Sequence, residues 1–274
     1  MSIQLIPYKP AGTIGSGPYV LREYKPDTGV DVSALSITYT GTHTDYGMVT
    51  MSDGARYRLL AFTASGTLSI EQPVNCEVCV VGGGADGTKA SGVSGDGGAG
   101  AYLKNQSVSA YNGGSVVVGA RQGVSSIAGV SVNAVSGKNG GTGAGGLAAG
   151  TGDGISKYPF EDTGYSLWAG KPHCAGGGQG VQEYSENGFT GGSGGTNGSN
   201  GYPRQDHSVS TPYGGAGGSY GGGAGGGFTG GNATYYGSGA GGGKYYQYSD
   251  GYESFGNGGS GYQGIVYIRI PAIQ

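Results

Sequence analysis

Charge is scarce in this sequence. Among 274 residues there are 14 Lys and Arg and 17 Asp and Glu, for a net charge of −3. Binding to phosphate backbones needs concentrated Lys and Arg, so no nucleic acid is expected as a partner. Three cysteines, at 76, 79 and 174, are too few and too odd in number for a disulfide framework. No apolar run approaches the 18 residues of a membrane-spanning helix. Met1-Ser2-Ile3-Gln4-Leu5-Ile6-Pro7 lacks the charged start and apolar centre of a secretory signal, which points to synthesis in a cytosol. Helical periodicity with caps is missing from every window longer than a turn, so almost no α-helix is expected. His43, His173 and His207 are scattered, and no Ser or Cys stands in a nucleophile-elbow context. Acidic residues are dispersed apart from Glu161-Asp162, and nothing predicts a paired-carboxylate site. The expectation is therefore no enzyme, no cofactor and no metal.

What the chain does have is glycine, 67 residues of it, and only eight of these lie before position 81. Ordering a glycine in place of alanine costs about 0.5–1 kcal/mol of extra backbone entropy. Glycine and proline together reach the level at which aperiodic chains are usually disordered. Low charge and 22 tyrosines argue for order instead. An ordered glycine field needs a systematic supply of backbone hydrogen bonds. The spacing is not the strict Gly-X-Y of collagen, since Gly140, Gly141, Gly143, Gly145 and Gly146 break it. Gly-Gly-X spacing nevertheless recurs, as in Gly176-Gly177-Gly178 and Gly221-Gly222-Gly223-Ala224-Gly225-Gly226-Gly227. Extended left-handed helices with three residues per turn make no internal hydrogen bonds. Laid side by side, such helices can bond N–H to C=O between neighbours, with glycine wherever two backbones meet. Packed polyglycine II helices are the expected state of the field.

Apolar segments bracket it. Tyr57–Phe62 reads as a strand, Thr63–Gly66 as a turn and Thr67–Ile70 as the start of another strand. Pro73 breaks it, and Cys76–Val81 runs apolar into the glycines. Ala101–Leu103 and Ser115–Gly119 read as two short strands, and Ile265–Ile270 as the last. Strands so far apart, enclosing a long insert, suggest a β-sandwich of jelly-roll or TNF-like kind closed by its C-terminal strand. Residues 1–55, with modest glycine, four prolines and a strand around Ala34–Thr40, read as an N-terminal arm or small β attachment region. Residues 56–274 form the glycine-rich domain.

Two motifs invite chemistry and decline it. Gly82-Gly83-Gly84-Ala85-Asp86-Gly87 satisfies G-x-G-x-x-G after an apolar strand, but Thr88–Gly95 cannot hold the required helix and no acidic residue sits near position 107. Cys76-Glu77-Val78-Cys79 has C-x-x-C spacing, yet on a strand positions three apart face opposite sides. Buried thiols are the expected outcome.

Ala61-Phe62-Thr63-Ala64-Ser65-Gly66-Thr67-Leu68, followed by Val80-Val81-Gly82-Gly83-Gly84, resembles the opening of the glycine-rich domain of phage tail and virion proteins. Gly97–Tyr102, Ser115–Ala120 and the closing Gly264–Arg269 share the likeness, which covers roughly residues 56–270. The domain also occurs in gut-bacterial surface proteins and is similar to one in the ectodomain of the anaplastic lymphoma kinase receptor. Ala85-Asp86 interrupts the first glycine run and Arg121 replaces an expected glycine. The resemblance implies a β-sandwich whose loops are replaced by bundled polyglycine II helices. T-even-type phage adhesins similarly use such bundles to carry exposed loops.

Tyrosine is where recognition is expected. Tyr158, Phe160, Tyr165 and Trp168 cluster in one insert, Tyr202 and Tyr213 flank a second, Tyr235 and Tyr236 mark a third, and Tyr245, Tyr246, Tyr248 and Tyr252 a fourth. Tyr mixed with Gly, Ser and Asn is the composition of adaptable binding loops; the competing reading is that the rings cap the lattice and supply its core. The function expected is a virion structural protein, at the tail fibre or tail tip, displaying these loops to a host surface glycan or outer-membrane protein. The N-terminal region would dock onto other virion proteins, and the chain would form a homo-oligomer. A capsid or tail decoration protein is the alternative. An ice-binding protein, disfavoured by the bulky tyrosines, and a bacterial surface adhesin domain rank lower.

Overall fold

The structure is a computed structural model that describes residues 30–130, 133–134, 158–180, 182–184, 188–190, 221–225, 228–248 and 250–272. Among them there is no α-helix, only one 3₁₀ turn at Pro159–Glu161. Twelve strands form two sheets. They are β1 (Ile37–Tyr39), β2 (His43–Thr50), β3 (Arg56–Phe62), β4 (Gly66–Val81), β5 (Leu103–Val117), β6 (Ser125–Ile127), β7 (Asn133–Ala134), β8 (Gln182–Tyr184), β9 (Gly188–Thr190), β10 (Tyr245–Gln247), β11 (Glu253–Phe255) and β12 (Ile265–Pro271). The main sheet is antiparallel and curled, in the order β2-β3-β12-β4-β5-β6-β7, with β1 also on β4. The smaller sheet runs β11-β10-β8-β9, its β8–β10 pair parallel.

The apolar runs of β3, β4 and β12 do not alternate with polar residues because the sheet centre is buried on both faces. Leu60, Phe62, Val78, Val80, Val266, Ile268 and Ile270 enter one core, which Val32, Leu35, Tyr111 and Ile127 complete. Leu59, Ala61, Cys79, Val81, Ile265 and Tyr267 enter a second core on the opposite face, where Met51, Phe160, Trp168 and Cys174 join them. Cys76 and Cys79 fall in different cores, as their spacing on a strand requires, and all three cysteines are buried without a disulfide.

Three expectations need correction. Residues 30–55 are not a separate arm: β1 pairs with β4, β2 pairs with β3, and Val32, Leu35 and Met51 are core residues. Arg58 reinforces the join, binding Asp45 at 2.6 Å and the carbonyls of Val32 and Leu35. Pro73 does not end a strand. It lies where the β4–β5 register shifts, so its missing N–H falls at an irregularity while β4 continues. Ala101–Leu103 and Ser115–Gly119 border one 15-residue strand, β5, whose exposed middle hid the continuity.

Between β4 and β12 the described glycine segments are neither helix nor regular strand, yet backbone hydrogen bonds join them to one another. Gly84, Gly87 and Ala90 donate to the carbonyls of Tyr262, Gly259 and Gly256; Ala101, Gly98 and Gly95 donate to Gly237, Ala240 and Gly243. Each set advances three residues on both partners. Residues 237–244 are the hub, exchanging backbone bonds with segments 85–88, 95–101, 175–178, 223, 228–231 and 256–263. Close approach makes glycine obligatory at such positions: a Cβ on Gly177 would overlap the Ala240 carbonyl. Where a methyl is accommodated, alanine stands fully buried, as at Ala85, Ala175 and Ala240.

Candidate binding surfaces

The 158–180 segment caps the second core. Trp168 is 0 % exposed and Phe160 is buried, while Tyr158 and Tyr165 are half-buried beside them. Asp162 organises the segment. Its carboxylate accepts from Ser52 N and Gly164 N, both at 3.0 Å, from Tyr165 N at 3.1 Å and from Ser52 Oγ, and its carbonyl accepts from Trp168 Nε1. Burial opposes ionisation of that carboxyl, but the Ser52, Gly164 and Tyr165 hydrogen bonds together hold its pKa below the usual value. Arg269 stacks on the Phe160 and Tyr57 rings, 4.6 and 4.4 Å away, and binds Glu77 at 2.9 Å. Phe160 and Trp168 are therefore core, and no face of Trp168 is open to a partner.

Beside this cap lies His173, also wholly buried, with Nε2 3.0 Å from the Tyr267 hydroxyl and no partner at Nδ1. Tyr235, Tyr236 and Tyr267 wall it, with ring centroids 4.8, 6.0 and 5.7 Å away. Burial lowers its pKa to about 3, so the imidazole is neutral. The cluster joins the main sheet, through Tyr267, to the glycine hub, through the 235–237 turn.

The fourth aromatic insert is a hairpin. β10 and β11 pair Tyr245 with Phe255, Tyr246 with Ser254 and Gln247 with Glu253. Tyr245 is buried, its hydroxyl donating to Glu253 Oε1 at 2.7 Å. Tyr246 is half-buried beneath the Lys244 amine. Tyr248 and Tyr252 are 44 % and 68 % exposed, their rings 5.8 Å apart at the tip. The hairpin rises directly from the hub, where Lys244 N donates to Phe228 O and Gly256 N donates to Lys244 O. Phe228 is itself exposed at the base. Tyr202 and Tyr213 lie outside the described residues. The structure thus brings Tyr235 and Tyr236 to the sheet–hub junction and leaves Tyr248 and Tyr252 outward.

Sequence reasoning passed over His173, Asp162, Tyr46 and Tyr262. His173, Tyr46 and Tyr262 are defined by long-range neighbours, while Asp162 joins local bonds to Gly164, Tyr165 and Trp168 with a distant one to Ser52. Among the described residues no group of three His, Cys, Asp or Glu could hold a metal, and no helix opens after Gly82–Gly87. No family model, curated protein or solved structure matches the chain.

Proposed function

We propose that this chain is a structural component of a phage virion, at the tail fibre or tail tip, without enzymatic activity, in which a fixed glycine framework presents aromatic loops to a host surface. The observation that carries the reading is the β10–β11 hairpin: two outward tyrosines mounted on the hydrogen-bonded hub at residues 237–244. Rigid aromatics give contact area at little entropic cost. The three-residue step of the backbone bonds supports reading the framework as bundled polyglycine II helices, enclosed by strands of a jelly-roll or TNF-like sandwich. The motif resemblance at residues 56–270 supplies the virion context. In this reading residues 1–29 dock onto other virion proteins, and copies assemble into a homo-oligomer.

A second reading, a decoration protein with a purely structural role, draws support from how many rings serve internal packing: Trp168, Phe160 and Tyr245 are all buried. Immunogold electron microscopy of intact particles separates the two. Label at the tail end, with host-envelope binding lost in Tyr248→Ala/Tyr252→Ala, supports display. Label spread over the capsid, with envelope binding absent from the wild type, supports decoration.

A further inference from the structure

β2 carries a bulge beside one exposed tyrosine. Between the pairs Asp45↔Leu60 and Met48↔Arg58, Tyr46 and Gly47 stand opposite Leu59 alone. Gly47 adopts φ +64°, a conformation glycine takes at no steric cost, and its amide donates to Asp45 Oδ1 at 2.8 Å. Opposite Leu59, Tyr46 lies on the sheet face of the second core, on which Tyr165 and Tyr236 also pack. Tyr165 meets Trp168 with centroids 4.8 Å apart, and Trp168 meets Tyr267 at 5.5 Å. Tyr236 meets Tyr262 edge-on with centroids 5.6 Å apart.

Four pieces of chain thus bring tyrosines to one patch: β2, the 158–180 segment, the 235–237 turn and the 256–264 segment. Tyr267 and His173 form its floor. Tyr46 and Tyr262 are 40 % and 36 % exposed, and Tyr165 and Tyr236 are half-buried. The charged groups beside the patch are already paired: Arg121 lies 3.8 Å from Asp86 and donates to Ser260 Oγ at 2.7 Å, and Asp86 accepts from Gly261 N at 2.8 Å. Asp162, beside Tyr165, already accepts four hydrogen bonds. The Asp45–Arg58 pair reaches toward Val32 and Leu35 on the other face. Burial raises the pKa of Tyr46, Tyr165 and Tyr236, keeping the phenols un-ionised near neutrality.

A surface of neutral hydroxyls between aromatic faces, bordered only by paired charges, offers an ion no unpaired counter-charge, and an apolar chain would strip water from its hydroxyls. A polyhydroxylated, uncharged ring satisfies both parts: its C–H face lies on a phenol ring while its hydroxyls exchange hydrogen bonds with phenol O–H groups. We propose that the Tyr46, Tyr165, Tyr236 and Tyr262 patch is a binding site for an uncharged glycan, distinct from the β10–β11 hairpin. The assignment rests on the patch itself and is independent of the virion reading.

The full chain is titrated with dextran, laminarin and maltohexaose, and with hyaluronate and polygalacturonate as charged counterparts, by calorimetry and saturation-transfer NMR. Saturable binding of a neutral probe is expected. Tyr46→Ala/Tyr262→Ala should weaken it about tenfold or more, while Val93→Ala, at an exposed position outside both surfaces, binds like the wild type. If the patch variant unfolds, movement of the Tyr46 and Tyr262 ring signals of the wild-type chain on adding the neutral probe decides in favour. The proposal is overturned if no neutral probe binds or the charged probes bind as well. It is equally overturned if binding survives the patch variant or if the probe leaves those ring signals unmoved.

Discussion

His173 and Asp162 both tie stability to pH, and in the same direction. His173 has a folded-state pKa of about 3 against an ordinary 6.5. Above pH 6.5 both states are neutral and the residue contributes nothing. Between 6.5 and 3 the unfolded chain takes up a proton that the folded chain refuses, so stability falls by about 1.4 kcal/mol per pH unit. Asp162 has a lowered folded pKa, so its stabilising contribution is full above the ordinary carboxylate pKa and is lost as pH falls through the folded value. Urea midpoints should therefore drop from pH 7 to pH 4.5, and His173→Gln should remove one proton's worth of that slope. An unaltered slope in the variant would assign the acid sensitivity elsewhere. Glycines can be tested in the same way. Gly177→Ala, whose methyl would overlap the Ala240 carbonyl, should cost about 3 kcal/mol or more. Ala240→Gly should cost only about 1 kcal/mol. Thermal melts of the two variants check the contrast.

At the level of elements, the 158–180 cap and the β10–β11 hairpin looked alike as sequence and separate in the fold. Both are tyrosine-rich inserts between glycine runs, but Asp162 binds the first onto the sheet through Ser52, while the tip of the second carries Tyr248 and Tyr252 outward. Asp162→Ala should therefore cost about 1–2 kcal/mol, because three part-buried amides lose a shared acceptor. Red-shifted Trp168 fluorescence should accompany the loss. Tyr248→Ala/Tyr252→Ala should change stability by no more than about 0.5 kcal/mol, as read from the same melts. Legibility followed burial. β3, β12 and the last third of β4 stood out because both of their faces are covered, which leaves unbroken apolar runs. β5 was legible only at its ends, and β10 and β11 not at all, since their polar and aromatic residues resemble loop composition. The tyrosine patch left no local trace, being assembled from four distant segments.

At the scale of the molecule, the described glycine segments are held by backbone bonds, beside a sheet held by two apolar cores. The composition was enough to expect backbone joined to backbone. It could not say which segments meet, because glycine runs look alike and carry no register of their own. If the hub is as bonded as its hydrogen bonds imply, amides at 237–244 should exchange as slowly as those of β12, and those of 250–252 at the hairpin tip far faster. Hydrogen-exchange mass spectrometry reads both, and prompt exchange at 237–244 would defeat the idea of a fixed framework. The strand order carries a last consequence. β3 and β4 are joined by a short turn yet do not pair with each other over their facing edges; β12 lies between them. On the ribosome, the slot between those neighbours must therefore stay vacant until residue 271 has left the exit tunnel. While residues 82–264 are being made, two hydrophobic edges stay open to any passing strand, and chaperone supply during translation should govern the yield more than thermodynamic stability does.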